Sequence, residues 1–170
     1  MEFSGQVWFT FGDADVWRFY GFTRALAGAG VTVALDWVPL VAHGEGSHER
    51  SAAAVYVSLE QPSDRGRFLH AMLGLVHLEG MDPIATGTID RALAGAEMSM
   101  PDTSGAASIL DELEASATGL GVNAVPSMYR HGPVMAVSLT GAATSGDLER
   151  RAALMLDVLD DDGLWGLVKP

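Results

Sequence analysis

Cysteine is absent from all 170 residues, so the chain has no disulfide and no thiolate, either as a nucleophile or as a metal ligand. Dithiol redox chemistry is excluded from the outset. Lysine is almost absent as well: Lys169 stands alone among ten cationic residues, which face 22 acidic ones for a formal charge of −12. A nucleic-acid groove or an anionic membrane surface calls for concentrated positive charge, and the chain lacks it. Apolar runs of membrane-spanning length are missing, as is a basic segment leading into an apolar one near Met1. The expectation is a cytoplasmic protein whose partners are small molecules or proteins, with no nucleic acid and no membrane.

Hydrophobic residues make up 48% of the chain, charged ones 19%, and the mean hydropathy is +0.20. A chain this apolar folds rather than staying disordered, and its length fits one domain, residues 1–170, with its own core.

Along the chain, Gln6 to Phe11 is a short aromatic strand that runs into a helix start at Asp13 and Asp15. The helix spans about Ala14 to Ala27, with Trp17, Tyr20 and Arg24 on one face and Phe19, Phe22 and Leu26 on another. Gly28-Ala29-Gly30 stops it. Val31 to Pro39 alternates as a second strand, giving a β-α-β unit whose strands are expected to run parallel through a right-handed crossover. Ala52 to Leu59 is open between helix, on its three alanines, and strand, on Val55-Tyr56-Val57. Ser63–Glu79, Pro83–Glu97 and Ser104–Thr118 read as helices, the first on Phe68, Met72, Leu75, Val76 and Leu78. These form a helical insertion over about residues 61–120. Gly121 to Tyr129 approaches a strand through Pro126, His131-Gly132 turns, and Val134 to Leu139 returns as a hairpin partner. A last helix runs from Thr144 to Leu159, with Leu148, Ala152, Leu156 and Leu159 on one face.

The order β-α-β, helical insertion, β-β-α resembles that of the DsbA-like thioredoxin family. Several segments carry the resemblance by their order and spacing. They are Val7-Trp8-Phe9, Trp17-Arg18 inside the first helix, Val31 to Pro39, Leu69-His70-Ala71, Gly121-Val122 to Val125-Pro126, and Gly163-Leu164-Trp165 to Lys169. The chain is nearest in character to the FrnE-like and mycothiol-dependent nitroreductase branch of actinobacteria. The resemblance implies an α/β thioredoxin-like fold and a cis proline at Pro126. It also implies an active window in which a nucleophilic cysteine would stand at Asp13 and a resolving one at Val16. Here that window reads Asp13-Ala14-Asp15-Val16, so the family's thiol chemistry does not carry over.

Candidate catalytic residues are then Asp13, Asp15 and Arg18, and candidate ligand-binding residues are Asp13, Trp17, Val125 and Pro126. The field of a helix N-terminus stabilises an aspartate in its charged form and makes it a poor base, so Asp13 or Asp15 serves better as an N-cap worth roughly 1 kcal/mol. The two aspartates are expected to form a negative rim, favouring a neutral or cationic ligand held by Trp17 and Val125. His43, His48, Glu45 and Glu49 read as a solvated acidic loop, His70 and His77 as packing residues, and Asp160-Asp161-Asp162 as a solvated terminus. No metal and no cofactor are expected. Three functions follow: a redox-inactive binding protein, a thiol-independent isomerase or transferase using Asp13, Asp15 or Arg18, and a homodimeric interaction protein.

Overall fold

Val7, Trp8 and Phe9 are all buried, as a strand covered on both faces requires, and they end strand β1 (Glu2–Phe9). The computed structural model describes residues 2–41, 49–132, 134–138 and 145–160. Helix α1 (Ala14–Gly28) and strand β2 (Thr32–Pro39) follow, then helices α2 (Arg50–Ser58), α3 (Pro62–His77), α4 (Thr86–Gly95) and α5 (Ala106–Leu120). Strands β3 (Ser127–Tyr129) and β4 (Val134–Ala136) and helix α6 (Ser145–Asp160) close the order. The four strands form one sheet, β2-β1-β3-β4. β3 is antiparallel to β1, with Val7 opposite Met128, and to β4, with Met128 opposite Met135. Val31 to Pro39 therefore belongs to the sheet beside β1, as the β-α-β reading requires.

The chain divides into two compact units. The first joins β1, Asp15–Val38 and the chain from Leu120 onward; the second joins Thr10–Ala14 to Pro39–Gly119. In the sheet unit Phe3, Val7, Phe19, Phe22, Leu26, Met128, Ala152 and Leu156 form one core cluster. Full burial of each large apolar side chain contributes about 1.5–3 kcal/mol. The aromatic rings meet edge to face, Phe3 on Phe22 at 6.0 Å and Trp37 on Phe9 at 5.8 Å, the arrangement that ring quadrupoles favour. Gly5 has φ +152°, and a Cβ there would lie 2.9 Å from the Tyr129 carbonyl oxygen, so only glycine lets β3 approach at that point.

The helical unit packs Phe11, Tyr56, Phe68, Leu69, Met72, Leu73, Ile89, Leu93 and Leu110 out of water. Arginines stop two of its helices. Arg65 Nε donates to the Leu59 carbonyl at 2.7 Å, just past α2, and Arg67 Nη1 to the Ala96 carbonyl at 2.9 Å, just past α4. A cation there satisfies orphan carbonyls and complements the negative helix end. Arg50 pairs with Asp111, tying the start of α2 to α5.

Several boundaries differ from the sequence reading, each for a local reason. The first strand starts at Glu2 and ends at Phe9, because side chains elsewhere take the backbone groups of Phe11. Of residues 52–59 all but Leu59, the extended residue after the helix, are helical, and the helical block begins at Arg50 instead of near residue 61. α4 starts at Thr86 because Asp82 turns the chain, accepting from the Ile84 N–H at 3.0 Å. Asp102 does the same with Ser104 at 2.9 Å, ahead of α5; these are Asx turns. Leu78, placed on the buried face of α3 by periodicity, is 73% exposed because it caps the helix after its last turn. β4 ends at Ala136, and Leu139 lies outside the described residues, as do the side chains of Leu148 and Leu159.

Candidate functional site

Four residues separate β1 from α1, and the helical unit grips them. The Glu49 carboxylate accepts the Phe11 N–H at 2.6 Å and the Gly12 N–H at 2.9 Å. His77 Nε2 lies 2.9 Å from the Phe11 carbonyl oxygen; a carbonyl only accepts, so Nε2 carries the proton. The Phe11 ring is 1% exposed and meets Tyr56 and Phe68 edge to face at 6.4 and 6.1 Å. A Cβ on Gly12 would lie 2.8 Å from Glu49 Oε1, so a larger residue there would push the carboxylate away from its two donors. Burial raises the Glu49 carboxyl above its ordinary range and nearby Asp13 adds to this, while the two N–H bonds and His77 oppose it. Glu49 is thus no member of a solvated loop. It fills the place at the backbone donors that an external anion would otherwise take. His43, His48 and Glu45 lie outside the described residues.

Asp13 is the residue just before α1, the N-cap position, whereas Asp15 lies inside its first turn. Asp15 is bonded to Arg18 one turn on, and Ser138 Oγ donates to its other carboxylate oxygen at 3.4 Å. The expectation of an uncompensated negative rim is corrected for Asp15, since a guanidinium partner offsets its charge. The pair is largely exposed, with Arg18 at 59%, so it is a weak contributor to stability. Trp17 is half-buried and stacks on Tyr20, with ring centroids 6.2 Å apart.

The Val125–Pro126 peptide bond is cis. Ser127 Oγ donates to the Ala124 carbonyl at 2.7 Å and the Val137 N–H to the Pro126 carbonyl at 2.8 Å, which pins the loop on both sides of the proline. Ser138 follows Val137, so this loop and the first turn of α1 are joined through two neighbouring residues. The fold thereby links Asp15 to the Pro126 loop within the sheet unit. Val125 is half-buried, and among the described residues neither its N–H nor its C=O has a hydrogen-bond partner.

The remaining candidates are dispersed. His70 is exposed rather than packed, and Asp160 is bonded to Arg130 at 2.7 Å rather than freely solvated; Asp161, Asp162 and the Gly163–Lys169 stretch lie outside the described residues. Among the described residues no group of three or more His, Asp or Glu is arranged to hold a metal. Sequence reasoning missed the roles of Gly12, Glu49, His77, Val137 and Ser138. The only local signal was a glycine beside the helix start.

No protein-family model matches the chain, and no curated protein is similar to it in sequence. Solved structures do match it. DsbL of Salmonella enterica serovar Typhimurium aligns over 95% of this chain and 90% of its own, at 14% identity and a TM-score of 0.58. The DsbA disulfide interchange protein of Klebsiella pneumoniae aligns over 92% and 88%, at 13% identity and 0.63. The catalytic domain of Proteus mirabilis ScsC aligns over 91% and 83%, at 17% identity and 0.60. With these neighbours, and with a sheet β2-β1-β3-β4 and six helices among the described residues, the chain has a DsbA-like thioredoxin fold, and it carries that fold without cysteine.

Proposed function

We propose that this chain is a binding protein that takes a small molecule or an extended peptide segment against Val125 and Pro126, without dithiol chemistry. One observation carries the reading: among the described residues the N–H and C=O of Val125 have no partner, beside a cis proline whose own carbonyl is already bonded. An extended ligand can meet such a donor and acceptor with its own backbone, as a strand does. Structural neighbours include a disulfide interchange protein and a thioredoxin-like oxidoreductase. Their chemistry needs a thiolate, which this chain cannot form. Acid–base chemistry through Asp15 is the weaker reading, because Arg18 and Ser138 already occupy that carboxylate.

A blocked tetrapeptide of alternating alanine and valine is a suitable probe, followed by backbone amide shifts. Saturable shifts centred on Val125 and Ser127 support the reading. Shifts spread over the surface, or none, overturn it. In parallel the protein shows no insulin reduction above background; enzyme-like turnover would contradict the absence of thiol chemistry.

A further inference from the structure

The structure assigns the groove between β4 and α6 as a binding site for a small amphipathic carboxylic acid. The inference goes beyond the reading of Val125 and Pro126 and stands without it.

The groove has a volume of about 290 Å³, at the small end of ligand pockets and enough for a body of roughly ten carbon atoms. Met135 and Val137 line it from the strand side, Leu154 and Met155 from the helix, and Arg151 and Ser138 contribute its polar groups. Leu154 is 53% exposed, the one exposed large apolar side chain among the described residues of its unit.

Arg151 gives the groove its chemistry. Arg18, Arg50, Arg67, Arg91 and Arg130 each pair with a carboxylate, and Arg65 bonds to backbone carbonyls. Arg24 and Arg150 are exposed. Arg151 alone is half-buried without a partner among the described residues. The chain has a charge of −12, yet among the described residues no carboxylate pairs with this half-buried arginine. A guanidinium in that condition binds a carboxylate through two parallel N–H bonds, and the apolar walls take the acid's hydrocarbon part. One guanidinium selects one negative charge.

The test titrates the whole protein with octanoate, octan-1-ol and octyltrimethylammonium, followed by methionine methyl and arginine Nε shifts. Octanoate is expected to bind saturably, moving Met135, Met155 and Arg151, at least about tenfold more tightly than the alcohol, with no saturable binding of the cation. Arg151→Gln lowers octanoate affinity about tenfold, whereas Arg150→Gln, one residue away and exposed, leaves it unchanged. Equal affinity for acid and alcohol, equal effects of the two substitutions, or no saturable binding of octanoate overturns the assignment. Because the readout lies at the methionines and Arg151, its failure is distinguishable from failure of the Val125 reading.

Discussion

Two short segments of this protein, one just before the Asp13-Ala14-Asp15-Val16 stretch and one at the cis proline, are held in opposite ways. Phe11-Gly12 is closed: distant side chains take both N–H groups and the Phe11 carbonyl, and the Phe11 ring is locked among other rings. Val125-Pro126 is open: the Val137 N–H donates to the proline carbonyl, and among the described residues Val125 keeps its donor and acceptor free. A closed segment contributes stability and offers a ligand nothing, whereas an open one contributes little stability and keeps its hydrogen-bonding capacity for a partner. Changes at Phe11 and Gly12 should therefore register in unfolding, and changes at Val125 in binding.

The largest expected effect is that of Phe11→Ala, which empties a fully buried ring site. A loss of about 3–5 kcal/mol in chemical denaturation is expected. A loss below about 1 kcal/mol would show that the ring does not anchor the segment.

Next comes Glu49→Ala. It leaves two backbone N–H groups without their acceptor and should cost about 1–3 kcal/mol. Gly12→Ala drives a methyl group against the same carboxylate and should cost a similar amount, about 1–3 kcal/mol. Since both substitutions break one contact, the double variant should fall well short of their sum. Simple additivity would separate Glu49 from the segment.

The pH dependence is smaller and has a definite sign. Burial holds the folded Glu49 carboxyl above its ordinary value of 4.5, so the folded chain binds that proton more readily than the unfolded one. The resulting stabilisation is fully present below 4.5 and is lost as the pH rises through the raised folded value. Wild type should therefore gain on Glu49→Gln as the pH falls toward that range, measured as the difference in unfolding free energy, in which all other carboxyls cancel. A difference that grows with rising pH would refute the assignment.

Smallest is Arg18→Ala. The ion pair with Asp15 is exposed, and removing it should change stability by no more than about 0.5 kcal/mol. A cost above about 1.5 kcal/mol would mean that the pair holds the start of α1.

Legibility followed the range of the forces involved. The period that placed Phe68 and Met72 on the buried face of α3 repeats within each turn, so a short stretch of sequence displays it. α2 displays no such period because it buries Ala52, Ala53, Val55, Tyr56 and Val57 nearly all round, which leaves helix and strand readings equal. Leu78 fits the period of α3 yet points into water, because a period does not say where its helix stops.

By itself the sequence determined that no thiol chemistry is possible, since an absent residue type cannot be restored by folding, and, α2 apart, it determined the order of strands and helices, which local patterning encodes. Only the tertiary structure decided what surrounds the two segments. Glu49 lies 38 residues from Phe11, and His77 lies 66 away. Contacts across such separations depend on how the elements pack, and no local propensity records them. The closed Phe11-Gly12 segment and the open Val125 are both products of that packing.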